Sequence, residues 1–181
     1  MAILQLEDRK IYKVYGLAIA TVLASLKIGV ERISVPGDQD LNQVLEKDIL
    51  NRFETHQVLQ TTNYLFDLLK KRDGYQRRDL MVLHPGSPSL YPFLLRSDRW
   101  HTHTHAEGLY ILSGECILSF IHPNGTPMQL LLQPGDYVKV PQRLPHRFSL
   151  SASLNLKAVQ YSFTPEGCIP DFVRYQPLIM N

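Results

Sequence analysis

Trp100-His101-Thr102-His103-Thr104-His105-Ala106-Glu107 gathers three histidines and a carboxylate into eight residues of a 181-residue chain. Neutral imidazole with carboxylate is the ligand chemistry of non-haem iron, nickel, manganese or zinc. His101 and His103 stand two apart, so on a strand both side chains point to one face. Glu107 lies six residues past His101, roughly 20 Å along a straight strand at about 3.3 Å per residue. Atoms sharing one metal lie about 2 Å from it, so the chain must turn between His103 and Glu107. His105 then falls in or near that turn. Glu107 opens the next strand, with Leu109 and Ile111 on its face. The alternative register His103-x-His105 leaves Glu107 at the wrong spacing.

A second element completes this picture. Gly135 and Pro141 bracket the short apolar segment Tyr137–Val140, and His146 opens another strand. If both strands line one barrel interior, His146 joins His101, His103 and Glu107 in a three-histidine, one-glutamate set with open positions for substrate or oxygen. The surrounding sequence supports a barrel. Leu80–Leu83 stops at Pro85-Gly86, Leu109–Leu112 at Ser113-Gly114, and Cys116–Ile121 at Pro123-Asn124-Gly125. Met128–Leu132 stops at Pro134-Gly135, and Phe148–Leu150 and Leu156–Phe163 follow. Short apolar segments at near-regular spacing with turn signals between them predict an antiparallel sandwich or barrel. Asn124-Gly125 is a hairpin turn pair.

The first 78 residues read differently. Ile3–Leu6, Ile11–Val14 and Ile28–Val35 predict strands, and Leu17–Leu26 a buried helix. Pro36-Gly37 is a turn, after which Asp38 or Asp40 N-caps a helix. Leu41, Val44, Leu45, Ile49 and Phe53 keep near-helical spacing, continued by Val58, Leu65, Leu68 and Leu69. Lys70-Lys71-Arg72 suits a solvated helix C-terminus, and Gly74 stops it. The fold expected is therefore mainly β or α+β, in one domain. An N-terminal α/β layer (1–78) feeds a C-terminal β-barrel (79–163), followed by a tail (164–181) that is either an ordered strap or a loose end.

Composition narrows the function classes. Nineteen Lys+Arg against seventeen Asp+Glu give a formal charge of +2, which argues against nucleic acid or an anionic membrane as partner. Cys116 and Cys168 are too few for a disulfide framework; Cys116 reads as a core residue and Cys168 is uninformative. The longest apolar run, Gly16 to Leu26, falls short of the roughly 20 residues of a membrane span. Glu7, Asp8, Arg9 and Lys10 before it make a poor signal peptide. A soluble cytoplasmic protein is expected. His56, His84 and His122 read as structural histidines, and Trp100 and Phe148 as packing at the barrel mouth, with substrate contact open for Phe148.

His101-x-His103-x-x-x-Glu107-x6-Gly114 resembles the first cupin motif, and Gly135-x5-Pro141-x4-His146 the second. Within the cupins, whose fold is a double-stranded β-helix or jelly-roll barrel, the chain is similar to the acireductone dioxygenases of methionine salvage. The likeness includes Ile28-Gly29-Val30-Glu31-Arg32, Gly74-Tyr75-Gln76-Arg77-Arg78-Asp79-Leu80 and Val82-Leu83-His84-Pro85. It continues in His146-Arg147-Phe148 and Leu156-Lys157-Ala158-Val159, covering roughly residues 1 to 165. The resemblance implies His101, His103, Glu107 and His146 as ligands of one Fe(II) or Ni(II) ion per chain. It implies an acireductone, 1,2-dihydroxy-3-keto-5-methylthiopentene, cleaved with O2, with iron and nickel directing different cleavages.

Two positions depart from the family. An arginine two residues after the glutamate anchors the anionic substrate in the family, and here that residue is Leu109. A glycine two residues after the second-motif proline is here Arg143. His105 and Arg147 are candidate catalytic groups, and Leu109, Arg143 and Phe148 candidate substrate contacts. Two other readings remain open: a cupin metalloenzyme acting on a less anionic substrate, such as another dioxygenase or an isomerase, and a non-catalytic cupin that binds a metabolite or stores metal. The sequence leaves the oligomeric state open.

Overall fold

The structure, a computed structural model, describes residues 2–6, 11–13 and 17–174. Expected features at Glu7 to Lys10, Val14, Gly16 and the tail beyond Arg174 lie outside the described residues. The elements run in the order β1 (Ile3–Leu6), β2 (Ile11–Lys13), α1 (Leu17–Ser25), β3 (Gly29–Arg32), α2 (Gln39–Glu46), α3 (Arg52–Thr61) and α4 (Asn63–Asp73). Then come β4 (Arg77–Leu83), α5 (Leu90–Ser97), β5 (His101–Thr102), β6 (Glu107–Gly114), β7 (Cys116–Ile121) and β8 (Pro127–Leu132). The last are β9 (Asp136–Val140), β10 (His146–Leu150), β11 (Leu156–Ser162) and β12 (Asp171–Phe172). Among the described residues no helix is long and apolar enough to cross a membrane.

Turn chemistry places the strands where the sequence predicts them. The β7–β8 hairpin turns through Asn124-Gly125. There Gly125 has φ 89°, and Asn124 Oδ1 accepts the Thr126 amide at 3.0 Å. Between β6 and β7, Gly114 has φ 77°, and a Cβ there would stand 2.0 Å from the Asn155 carbonyl oxygen, so only glycine fits. The strands form two sheets, a seven-stranded one in the order β12-β5-β10-β7-β8-β1-β2 and a five-stranded one in the order β3-β9-β6-β11-β4. Neighbouring strands pair antiparallel throughout both sheets.

The three central strands of the five-stranded sheet, β9, β6 and β11, are covered on both faces, which is why they are buried at consecutive residues rather than at alternate ones. Leu109 and Ile111 of β6, Val138 and Val140 of β9, and Leu156 and Ala158 of β11 face the other sheet, in a core with Leu118, Phe120 and Leu130. Their neighbours Tyr110, Leu112, Tyr137, Val159 and Tyr161 point the other way, against Leu41, Val44, Val58, Leu65 and Leu69 of α2–α4. At about 25 cal/mol per Å² of apolar area removed from water, each such large side chain contributes roughly 1.5–3 kcal/mol.

The helical layer departs from the expected single stripe. Asp38 N-caps α2, accepting the Asp40 amide. The helix then ends at Glu46, because Asn51 starts a new one with a reciprocal capping box to Glu54. That break re-phases the pattern. Ile49, Phe53 and Leu68, expected in the apolar stripe, are exposed, Phe53 at 76%. The basic triplet is also more than a solvated end. Arg72 pairs with Glu31 at 2.9 Å and lies over the Tyr137 ring. Asp73 beside it accepts from Lys139 of β9 at 2.7 Å and from Arg72 at 2.9 Å, pinning the end of α4 to the sheet. Gly74 C-caps α4 in the left-handed region. Helix α5 was not foreseen from the sequence. Its signal is the Ser87/Ser89 start, Pro92 in the first turn, and Leu90, Phe93 and Leu94 at three- and four-residue spacing.

Candidate metal centre

Strand pairing brings the histidines together. β5 and β10 are neighbours, and His101 is directly opposite His146 in their register, with ring centroids 4.4 Å apart. β5 ends at Thr102, yet His103 still turns inward, 5.1 Å from the His101 ring and 5.3 Å from that of His146. All three are buried, and one nitrogen from each lies within 4.8 Å of the others. Glu107 enters from the opposite side, as the first residue of β6 in the five-stranded sheet, its side chain 12% exposed. Its Oε1 is 2.9 Å from His146 Nε2, and its Oε2 is 3.4 Å from His103 Nε2.

The rings are oriented by the backbone. His101 Nδ1 donates to the Arg99 carbonyl at 2.7 Å, His103 Nδ1 to Ile169 at 2.9 Å, and His146 Nδ1 to Leu144 at 2.8 Å. A carbonyl oxygen only accepts, so each Nδ1 carries a proton; Nε2 of His101 and His103 is left to present a lone pair inward, while His146 Nε2 donates to the Glu107 carboxylate, a proton that an ion would displace. His103 Nε2 is buried without a hydrogen-bond partner, an orphaned donor-acceptor atom that an ion would satisfy. Three convergent imidazole nitrogens and a carboxylate fit a divalent transition-metal ion.

The electrostatics agree. Burial works against the Glu107 charge, but the His146 hydrogen bond and the three histidines hold its pKa down at about 2. Burial and the neighbouring His146 push His101 down to about 4, which keeps that ring neutral at ordinary pH. Burial also presses on His146, and Glu107 more than offsets it, so its pKa is raised. Gln160 of β11 donates from Nε2 to Glu107 Oε2 at 3.2 Å and fixes that carboxylate from behind.

The cluster opens into a cavity of about 260 Å³ that His101, His103 and Glu107 reach. Leu109 and Phe148 line it too, and Phe93 of α5 meets Phe148 edge-on at 5.1 Å. The other candidate groups lie elsewhere. His105 is exposed, bonded to Thr104 Oγ1 and beside the Phe163 ring, on a separate cavity of about 190 Å³ that shares the His103 wall. Arg143 is exposed and outside the cavity, with φ 61°, and its amide donates to the His103 carbonyl at 2.8 Å. Arg147 lies over Trp100 with Nε 3.5 Å from Asp98, away from the cavity wall.

Several cavity residues carried no signal in the sequence. Arg96 lies on α5, Asp79 on β4 and Gln160 on β11. Cys168 comes from the tail, which is a strap as far as Arg174: β12 pairs with β5, placing Phe172 opposite His101. Burial pushes the Cys168 thiol pKa up, which makes it an unreactive part of the wall. Cys116 sits in the core.

Comparisons with known proteins agree with this geometry. The cupin domain family matches residues 80–159. The curated acireductone dioxygenase of Trichodesmium erythraeum (strain IMS101) is 37% identical over 172 residues, 95% of this chain and 94% of the relative. That of Nostoc sp. (strain PCC 7120 / SAG 25.82 / UTEX 2576) is 38% identical over 173 residues, covering 95% and 94%. Among solved structures, an acireductone dioxygenase from Bacillus anthracis, with a cadmium ion in its active centre, superposes with a TM-score of 0.84. It shares 24% identity and covers 95% of this chain and 98% of its own, a likeness of fold.

Proposed function

This chain belongs to the acireductone dioxygenase family, and from that premise we propose that it cleaves 1,2-dihydroxy-3-keto-5-methylthiopentene with O2 in methionine salvage. The centre takes one Fe(II) or Ni(II) ion on His101, His103, Glu107 and His146. The observation that carries this reading is the set of three Nε2 atoms, each turned inward by a backbone carbonyl at Nδ1, facing one carboxylate at the end of a cavity. Among the described residues within 1–78, only α2–α4 serve as a cover on the five-stranded sheet, because β1 and β2 extend the seven-stranded sheet and β3 edges the five-stranded one, in what we take as a single cupin domain.

When bound, the ion supplies Lewis acidity toward the enediol oxygens and brings substrate and O2 into one place. The chain's own residues prepare that place. The three carbonyl contacts fix the rings before anything binds, so little reorganisation is needed during the reaction. Glu107 stays ionised, held by His146 and Gln160. Leu109, Leu118, Met81 and Phe148 give the cavity apolar walls that limit water around a reactive enediolate. Phe93 against Phe148 closes one side.

The buried, apolar Leu109 on this wall favours a second reading, a cupin metalloenzyme acting on a less anionic substrate. Oxygen uptake with formate detection decides between them, using anaerobically Fe(II)-reconstituted protein and freshly generated acireductone. A His101→Ala/His146→Ala variant is the control. Fast uptake that the control lacks supports the dioxygenase. Uptake no faster than the control, with metal bound stoichiometrically, supports the changed substrate.

A further inference from the structure

Among the described residues, the lining of the histidine cavity includes a single permanently cationic side chain, Arg96. It lies in the last turn of α5, where Phe93, Arg96 and Ser97 all reach the cavity, a three- and four-residue spacing that makes one helix face. Phe93 seats that face against Phe148 of β10, and Leu90 and Phe93 pack on the inter-sheet core. Most other arginines nearby are engaged. Arg77 holds Asp79, Arg99 lies over Phe172, and Arg147 takes Asp98 and Trp100. Among the described residues no ion pair or hydrogen bond engages the Arg96 guanidinium.

The rest of the wall asks for such a group. Its carboxylates are Glu107 and Asp79, and Leu80, Met81, Leu109, Leu118 and Phe148 are apolar. An anionic ligand leaving water for these surroundings needs a cationic partner to offset its desolvation. Leu109, two residues along β6 from Glu107, supplies none. α5, leaning on β10 of the opposite sheet, carries one to the same cavity.

We propose that Arg96 binds the anionic enediolate oxygen of the substrate, entering from helix α5 rather than from strand β6. This role rests on the acireductone reading above. It makes Arg96 a specificity determinant for ionised enediols, with Leu109 and Phe148 shaping the apolar part of the cavity.

The test uses the full chain with Arg96→Gln, Arg96→Lys and Arg96→Gln/Leu109→Arg. Two readouts are taken: steady-state turnover of acireductone by the Fe(II) form, and calorimetric binding of L-ascorbate, an ionised enediol, to the redox-inert Zn(II) form. Arg96 is exposed, so zinc content and melting temperature should match the wild type. The role predicts that Arg96→Gln raises KM about tenfold, with a smaller change in kcat, and weakens ascorbate binding by a similar factor. Lysine should recover part of the loss as a point charge, and the double variant most of it. Ascorbate binding to the wild type should also weaken with added salt, and that dependence should flatten in Arg96→Gln. If KM and ascorbate affinity of Arg96→Gln stay within about twofold of the wild type, the role of Arg96 is overturned while the proposed function stands. Wild-type protein inert toward acireductone overturns the proposed function, and the ascorbate arm still decides whether Arg96 reads anions in this cavity.

Discussion

His146 Nε2 stands 2.9 Å from Glu107 Oε1, across 39 residues of chain. One belongs to β10 of the seven-stranded sheet and the other to β6 of the five-stranded sheet, so the contact joins the two halves of the sandwich at the cavity. The candidate ligands are thus a product of sheet closure, and disturbing either sheet at this point reaches the candidate metal site.

Replacing Glu107 with Gln keeps the size and removes the charge. Zn(II) affinity, measured by competition with a chelator, should fall about ten- to a hundredfold. Unchanged affinity would leave a three-histidine site with the glutamate outside it.

Metal should stabilise the fold by mass action, since the four groups come together only in the native state. At a free ion concentration of about 100 Kd the gain is about 2.7 kcal/mol, or roughly 5–10 °C in melting temperature for a chain of this length. Calorimetric scans with and without a chelator read it, and the His101→Ala/His146→Ala variant should show no shift.

Gly108 follows the glutamate and has no room for a side chain. A Cβ there would meet the Tyr75 hydroxyl at 2.8 Å and Tyr137 Cε2 at 3.1 Å, and the two tyrosines are buried and bonded to each other at 3.0 Å. Gly108→Ala should cost about 1–3 kcal/mol in urea denaturation and weaken metal binding by displacing Glu107. Adding Tyr75→Phe removes the closest atom and should return part of the stability, a non-additivity expected only of touching groups.

Arg143 holds a left-handed backbone, φ 61°, without lining the cavity. Arg143→Gly relieves that strain while loosening the unfolded chain, for a net gain of about 0.5–1 kcal/mol. A higher urea midpoint at unchanged slope would show it, with acireductone turnover unaffected.

Asp73 ties α4 to β9. Burial opposes its charge, but Lys139 and Arg72 more than offset this, and its pKa lies below the usual 3.8. A depressed carboxyl pKa stabilises the native state above the unfolded value and loses that contribution as pH falls through the folded value. Asp73→Asn should therefore cost about 1–2 kcal/mol at pH 7, a figure already reduced for the half-exposed Arg72 and Lys139. The deficit relative to wild type should shrink as the pH is taken below 3.8. A deficit that stays constant would assign the effect to shape rather than charge.

The β half was legible because its signals are local. Asn124-Gly125, Gly114 and Gly135 each bend the chain within a few residues, and the observed strands begin and end beside them. The helical half was less so. The spacing from Leu41 to Leu69 reads as one stripe. A capping box at Asn51, worth about 1 kcal/mol, outcompeted that periodicity and turned Phe53 to solvent. α5 was missed because its eight residues are too few for a periodic signal to stand out.

By itself, the sequence determined which residues form the candidate centre. Two-residue strand periodicity and one forced turn group His101, His103 and Glu107, and the resemblance to the two cupin motifs implies His146 as their partner. Only the tertiary structure decided what surrounds them. The carbonyls that orient the three rings, Gln160 behind the carboxylate, the strap across β5 and the guanidinium of Arg96 come from segments far apart in the chain. Local propensity carries no information about such neighbours, because they meet only when the two sheets close over a shared core.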